Sequence, residues 1–185
     1  MSTALPEGQV RPITRYGEQV LHQPCAVVTA FDDELRQLVA DMFVSMHAAH
    51  GVGLAANQVG VGLRVFVVDC PDHTGEHTVA HVINPVLDPP EERRLDDDSE
   101  GCLSVPGPYA DVARPARATV RGVDVDGNEV RIEGTGLLAR CLQHECDHLD
   151  GQVYVERLSA KERKRVLKEM AEPGQEPWLS EDDEA

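Results

Sequence analysis

Two histidines and a glutamate lie close together in the segment H-E-C-D-H at residues 144–148. Residues four positions apart lie on one face of an α-helix, so the imidazoles of His144 and His148 can reach one metal ion. Glu145 is rotated by about 100° from His144 on such a helix. Its carboxylate would then lie beside the metal, where it can accept a proton from an activated water. The spacing predicts a hydrolytic metal site. Two histidines that are hydrogen-bonded on a half-buried helix would give the same pattern.

A catalytic metal site of this kind needs a third protein ligand and one open position. No residue after His148 has the type and spacing of the third ligand in zinc peptidases, because Asp150 is too close and no later glutamate follows at a suitable distance. Cys102 lies upstream, and Gly101 beside it gives the backbone freedom to present a thiolate in a short loop. Cys102 is therefore the candidate third ligand. The alternative is a small buried hydrophobic residue, which is the usual role of a single cysteine.

Apolar periodicity predicts the helices that would position these residues. The 3/4 spacing of leucine, methionine and phenylalanine over residues 33–50 predicts an amphipathic helix. A second helix is predicted over residues 137–149, with Thr135 as its candidate cap. Ser159, followed three positions later by a glutamate, is typical of a capping box and predicts a last helix that ends at about Met170.

The remaining segments predict strands and loops. Residues 65–68 and 78–83 read as strands, and alternation over residues 119–132 on either side of an Asp-Gly pair predicts a β-hairpin. Residues 86–99 read as an acidic loop. We interpret residues 1–170 as one domain and residues 171–185 as a disordered acidic tail.

Composition limits the partners and the compartment. The net charge is -16, from 17 basic and 33 acidic residues among 185. A surface this acidic repels free nucleic acid and anionic membranes, so neither is an expected partner. Five cysteines without paired spacing favour a reducing compartment over a disulfide scaffold. No segment approaches the roughly 20 apolar residues of a membrane span, and the first dozen residues have no signal-peptide pattern. We expect a cytoplasmic protein.

Three stretches of the chain resemble the motifs of one family, the peptide deformylases. Residues 51–58 (GVGLAANQ) resemble the first motif, G-x-G-L-A-A-x-Q. Residues 100–104 (EGCLS) resemble the second, and residues 143–149 (QHECDHL), followed by Gly151, resemble the third, Q-H-E-x-D-H-L-x-G. Their order and spacing also agree, and the resemblance extends over about residues 13–158. One such motif would be weak evidence, but three in order are strong.

The resemblance implies a fold and a metal. It implies an α+β fold in which antiparallel sheets pack around a central metal-binding helix, followed by a C-terminal helix. It implies that Cys102, His144 and His148 bind one ion per chain. Ferrous iron would be the native metal, with nickel, cobalt or zinc as substitutes. The ligand types alone do not choose between zinc and ferrous iron.

The activity that the resemblance implies is removal of the formyl group from N-formylmethionyl nascent peptides, with release of formate. Glu145 would be the general base and then the acid. Gln58 and the backbone N–H of Leu103 would stabilise the oxyanion, and backbone groups of Gly53 would align the substrate. These roles suit the chemistry, because an amide donor stabilises a negative tetrahedral intermediate without titrating.

Helical geometry suggests where the methionine side chain would lie. Leu137 and Cys141 precede His144 on the same helix face, so they can line a slot beside the metal. Val52 is a further candidate for this slot. Arg140 also falls near that face, where an aliphatic residue would be more natural. The resemblance also pairs the glutamate before Cys102 with a downstream arginine, which would be Glu100 with Arg114.

The last predicted helix has a local excess of positive charge. Residues 161–169 carry five basic and two acidic side chains. Formylated nascent chains occur at the ribosome, and RNA phosphate dominates the ribosome surface. Residues 159–170 are therefore a candidate ribosome-binding face, with a solvated helix face as the alternative.

Two other functions compete with deformylation. A zinc endopeptidase would use the same H-E-x-x-H helix, but Cys102 as a ligand and the missing downstream ligand disfavour it. A structural zinc site, or a paralogue that binds ribosomes without turnover, would leave Glu145 and Gln58 without a role.

Overall fold

The structure is a computed structural model and describes residues 4–179. Within that range the chain forms three α-helices and seven strands. The helices are α1 (Asp33–Ala48), α2 (Gly136–Leu149) and α3 (Ala160–Glu169). The strands are β1 (Gly53–Ala55), β2 (Val65–Pro71), β3 (His77–Leu87), β4 (Leu95–Cys102), β5 (Val105–Pro115), β6 (Arg117–Val123) and β7 (Glu129–Thr135).

The strands form two antiparallel sheets. One has five strands in the order β1-β2-β3-β6-β7, and the other consists of β4 and β5. The hairpin that the sequence predicts is β6–β7, whose register runs from the pair Arg117–Thr135 to the pair Val123–Glu129. Helices and antiparallel sheets together confirm the α+β class.

Strand β2 explains why the larger sheet carries a helix on each face. Val65 and Val67 belong to the buried cluster that contains α1, whereas Phe66 and Val68 belong to the cluster that contains α2. Because successive side chains of a strand point to opposite faces, alternate residues of one apolar run fill two separate cores. Burial on both faces fixes the strand firmly between the two helices.

Helix α2 is the element that positions the candidate site. It contacts all five strands of the larger sheet and also β5 of the smaller one, and residues 139–149 are all buried. Thr135 occupies the N-cap position, but its side chain makes no capping hydrogen bond. Gly151 closes the other end with a φ of 79°. A Cβ there would lie 2.7 Å from the carbonyl carbon of Gln23, so the turn after the helix requires glycine.

Helix α3 packs on a third buried cluster, which includes Val105, Ala110 and Val112 of β5, together with Val153, Tyr154, Val155 and Leu158, and Val166 of α3. Its N-cap is Ser159, whose side chain accepts the backbone N–H of Glu162, as the sequence predicts. Lys164 and Lys168 lie on the exposed face of the helix.

The prediction of a loop over residues 86–99 is wrong at both ends. Strand β3 continues to Leu87, and β4 begins at Leu95. Strand β4 has a single partner, β5, and most of its side chains before Glu100 face solvent. A strand whose exposed positions carry aspartates lacks the apolar alternation from which strands are predicted.

The expectation of a disordered tail from residue 171 is not met for residues 171–179. The N–H of Ala171 donates to the carbonyl oxygen of Pro106 at 2.8 Å. Arg15 and Glu176 form an ion pair at 2.9 Å, and Pro177–Leu179 form a short 3-10 helix. These anchors come from residues far away in the chain, so local composition does not predict them. Residues 180–185 of the expected tail lie outside the described part. None of the helices in residues 4–179 is long and apolar enough to cross a membrane.

Candidate metal centre and active site

Cys102, His144 and His148 bring three donor atoms together. The sulfur and one ring nitrogen from each histidine all lie within 4.8 Å of one another. Nε2 of His148 is 3.1 Å from Nε2 of His144 and 3.3 Å from Sγ of Cys102. The two histidines lie one turn apart on α2, and the cysteine ends β4 at its junction with β5. The sequence-predicted ligands therefore meet at one point.

The chemistry of this donor set fits a metal cation. Burial opposes a charge on His144, but hydrogen bonds with Cys102 and Glu100 raise its pKa well above the ordinary value of 6.5. Burial and the nearby charge of His144 lower the pKa of His148 well below that value. The pKa values of the two imidazoles therefore shift in opposite directions. A divalent cation at the same point would give all three donor atoms a common partner, with the thiol deprotonated.

Glu100 fixes the ring of His144. Its Oε1 lies 2.6 Å from Nδ1 of His144, which leaves Nε2 free to act as a ligand. Arg114 donates to both carboxylate oxygens of Glu100, at 2.8 Å and 2.5 Å, and is only 2% exposed. Burial would raise the pKa of Glu100, but the hydrogen bonds from Arg114 and His144 lower it well below its ordinary range. The predicted Glu100–Arg114 pair is present and stays ionised at neutral pH.

The network extends from Arg114 to two further arginines. Arg114 also donates to Asp147 at 2.9 Å, and Arg157 donates to both oxygens of Asp147. Arg140 donates to Glu100 at 2.9 Å and to the carbonyl oxygen of Val112 at 2.6 Å. The side chain of Arg140 is therefore turned into the network and is 6% exposed. The Arg140 guanidinium thus lies near the face of α2 that carries His144 and His148 because it forms an ion pair with Glu100.

Glu145 lies beside the donor group and is not part of it. It is 3% exposed, and its Oε2 has no hydrogen-bond partner within residues 4–179. Burial raises the pKa of Glu145 to about 7, although the charge of His144 opposes this shift. A Cβ at Gly53 would lie 2.6 Å from Oε1 of Glu145 and equally close to Sγ of Cys141. A larger residue at position 53 would therefore force the Glu145 carboxylate or the Cys141 side chain to shift.

Gln58 presents its amide nitrogen to the site. Its Oε1 accepts the backbone N–H of Ala55 at 3.0 Å, which fixes the orientation of the amide. Its Nε2 then donates to Oγ of Ser104 at 3.1 Å and lies 3.6 Å from Sγ of Cys102. Leu103 lies between Cys102 and Ser104 in the chain, and both Leu103 and Gln58 line a cavity beside the candidate ligands. A buried donor thus points at the space next to the candidate ligands.

A cavity of about 450 Å³ opens onto this group. Nine of the ten residues that the sequence and the resemblance propose for the site line it, and the tenth, His148, is fully buried behind it. The nine are Val52, Gly53, Gln58, Cys102, Leu103, Leu137, Cys141, His144 and Glu145. The cavity falls within the range of about 300–1,000 Å³ that is usual for small-molecule sites.

Sequence reasoning missed two groups of residues at the site. Asn57 and Ser104 lie inside the recognised motifs without an assigned role. The side chain of Asn57 donates to the carbonyl oxygen of His148 at 2.6 Å, and Ser104 holds the Gln58 amide. Tyr109 and Trp178 line the cavity and belong to no motif. Only the three-dimensional structure brings them there.

The chain is similar to known proteins over most of its length. The family model described as Polypeptide deformylase matches residues 10–164. Peptide deformylase 1 of Streptomyces avermitilis is 58% identical over 167 residues, which cover 89% of this chain and 77% of that protein. The peptide deformylase of Mycolicibacterium paratuberculosis is 51% identical and covers 86% of this chain and 88% of its own.

Solved structures give the same result for the fold. The crystal structure of peptide deformylase from Ehrlichia chaffeensis has a TM-score of 0.81 and 38% identity, over 86% of this chain and 94% of that one. The same protein has been solved in complex with actinonin, with a TM-score of 0.81 and 39% identity over 86% of this chain and 94% of that one. From the family match, the sequence identity and the shared fold, we conclude that this chain belongs to the peptide deformylases, a family of metal-dependent hydrolases.

Proposed function

We propose that this protein hydrolyses the formamide bond of N-formylmethionyl peptides and releases formate and a free N-terminus. The observation that carries the proposal is the arrangement of Glu145 and Gln58 in one cavity with the Cys102, His144 and His148 donors. Relatives of high identity are named peptide deformylases. Their substrate class suits a cavity that has a metal group at one end and apolar residues along its wall.

Cys102, His144 and His148 would hold one metal ion. We propose ferrous iron, for which nickel, cobalt or zinc can substitute, because one thiolate and two imidazoles suit all of these ions. When bound, such an ion polarises a carbonyl oxygen and activates water for attack at neutral pH. Glu100, hydrogen-bonded to His144, would keep the imidazole in the ligand tautomer.

Glu145 is the proposed proton carrier. Its carboxylate takes a proton from the attacking water as the new C–O bond forms at the formyl carbon. It then gives that proton to the amine nitrogen as the C–N bond breaks. Glu145 is buried and its Oε2 has no hydrogen-bond partner within residues 4–179, so the carboxylate can accept a proton and return it.

Gln58 and the backbone N–H of Leu103 are the proposed oxyanion donors. The amide of Gln58 is held by Ala55 and Ser104, so it needs little reorganisation when negative charge develops on the formyl oxygen. Both donors are neutral, and neither loses its proton during the reaction.

The methionine side chain would lie along the apolar part of the cavity. Val52, Leu137 and Cys141 line it beside the metal group. The backbone of Gly53 would align the peptide, since the missing side chain lets the substrate and Glu145 approach each other.

Ribosomes are the proposed partner of residues 159–170. Arg165 is engaged by Glu162 and Glu169 and Arg163 is partly buried, so the exposed cations on this helix are Lys161, Lys164 and Lys168. Nascent chains as substrates, together with five unpaired cysteines, support a cytoplasmic location. We propose that residues 1–170 form the catalytic domain.

Two peptides test the proposed function. Anaerobically purified protein is incubated with formyl-Met-Ala-Ser or with an unformylated peptide that endopeptidases cleave internally. We expect stoichiometric formate from the first and intact second peptide. Internal cleavage without formate would favour an endopeptidase, and no turnover of either peptide by metal-loaded protein would favour a structural site.

A further inference from the structure

We propose that Trp178 forms an outer wall of the substrate cavity and favours an aromatic side chain at the second or third residue of the formylated peptide. This inference rests on the proposed function. It assigns a specificity role to residues 176–178, which follow the last α-helix and lie beyond residues 10–164 of the family match.

The cavity is continuous from the metal group to the C-terminal segment. His144, Glu145 and Cys102 line its inner end, and Pro177 and Trp178 line it as well. Trp178 is partly buried although it lies in a segment whose other residues are mostly exposed. A chain segment that only trailed in solvent would leave its tryptophan fully exposed.

Contacts of Arg15 help to hold the C-terminal segment in place. Arg15 forms an ion pair with Glu176 at 2.9 Å, and it also donates to the carbonyl oxygen of Ala171. The neighbouring Tyr16 N–H donates to the carbonyl oxygen of Ser104 at 2.9 Å. Ser104 in turn holds the amide of Gln58. The anchor of the C-terminal segment is therefore tied to the β4–β5 connection, which carries Leu103 and whose Ser104 holds the amide of Gln58.

A second aromatic residue lines the cavity. The ring of Tyr109 covers Gly101, where a Cβ would lie 2.6 Å from Cε1 of the ring, and its side chain is largely exposed. Tyr109 and Trp178 thus give this cavity two aromatic lining residues. Aromatic pairs stabilise each other by about 0.5–1.5 kcal/mol beyond burial alone, which corresponds to roughly two- to tenfold in affinity.

The direction of the substrate leads to this surface. The formyl group must lie at the candidate ligands Cys102, His144 and His148. The second and later residues of the peptide must therefore extend towards the cavity opening. An extended chain advances about 3.3–3.6 Å per residue, and the second and third side chains are therefore the first to reach beyond the methionine slot. No acidic or basic group of residues 176–178 is left unpaired to select a charged side chain, because Glu176 is engaged by Arg15.

The experiment compares three substrates and two variants. The substrates are formyl-Met-Ala-Ser, formyl-Met-Phe-Ser and formyl-Met-Ala-Phe, tested with the wild-type protein, Trp178→Ala and Leu179→Ala. Leu179 is the matched control, because it adjoins Trp178 and is 48% exposed but does not line the cavity. We expect at least one phenylalanine peptide to have a higher kcat/KM than formyl-Met-Ala-Ser in the wild type. Trp178→Ala should lose that preference by roughly two- to tenfold, and Leu179→Ala should keep it.

Fluorescence separates this inference from the proposed activity. Trp178 is the only tryptophan of the chain, so its emission reports on this wall alone. Titration of Glu145→Ala protein, which should bind without turnover, with the phenylalanine peptides should change the emission saturably. The inference is overturned if the emission stays constant on binding, or if Trp178→Ala keeps the preference. Emission that changes on binding, while the metal-loaded wild-type protein releases no formate, would leave the wall intact and reject the activity.

Discussion

Oε1 of Glu100 lies 2.6 Å from Nδ1 of His144. Glu100, which precedes the candidate ligand Cys102 by two positions, therefore orients the candidate ligand His144. Glu100→Gln should weaken metal binding by about 10- to 100-fold, because a neutral amide no longer polarises the imidazole or balances the cation. Competition with a chelator measures the affinity. Glu92→Gln removes an exposed carboxylate and should change nothing. Equal affinities for the two variants would show that the contact does not tune the site.

The same carboxylate predicts a pH dependence of stability. The pKa of Glu100 is lowered in the folded protein from its ordinary value of 4.5. Its contribution to the free energy of unfolding is therefore complete above about pH 4.5 and is lost as the pH falls towards the folded pKa. Urea midpoints of the metal-free protein should fall less steeply below pH 4.5 in Glu100→Gln than in the wild type. Parallel curves would mean that Glu100 titrates alike in both states.

Gly53→Ala should reduce kcat by roughly 100-fold, because the added Cβ displaces Glu145 and a shift of about 1 Å at the reacting groups has this effect. The added carbon would lie 2.6 Å from Oε1 of Glu145. Gly62→Ala is the matched control, since nothing lies within 4 Å of its Cβ position. The account of Gly53 fails if its alanine variant retains wild-type kcat while the fold, checked by circular dichroism, is unchanged.

Purification in air should inactivate the iron form much faster than the nickel or zinc form. A thiolate ligand on ferrous iron is exposed to oxygen chemistry, and oxidation of Cys102 would remove that ligand. Residual formate release, followed over hours in air and under nitrogen, measures the loss. Identical decay of all three forms would argue against Cys102 as a ligand or against iron as the reactive metal.

Local sequence predicted the parts of the site that lie within short segments. The helical spacing of His144 and His148 predicted that their ring nitrogens meet, and the Asp-Gly turn predicted the β6–β7 hairpin. Arg140 could not be placed, because its partner Glu100 lies 40 positions away on another element. The motif resemblance supplied the order of the three segments, which periodicity alone does not give.

Two features escaped prediction because their signals are not local. Strand β4 presents aspartates to solvent from a two-stranded ribbon, so its composition resembles a loop. Residues 171–179 are acidic and rich in turn-forming residues, yet Arg15 and the carbonyl oxygen of Pro106 hold them against the body. In both cases tertiary contacts determine the conformation. Composition alone therefore predicts a loop for β4 and disorder for residues 171–179.

Metal content and formate release of Glu145→Ala, determined on the same anaerobic sample, test the central claim most directly. Glu145 lies outside the group of converging donors and is proposed to move protons. The variant should therefore keep about one ion per chain, as expected for an intact three-ligand site, and lose formate release by about 10²- to 10⁴-fold. Loss of metal in parallel with activity would make Glu145 a ligand or a structural group and contradict the account.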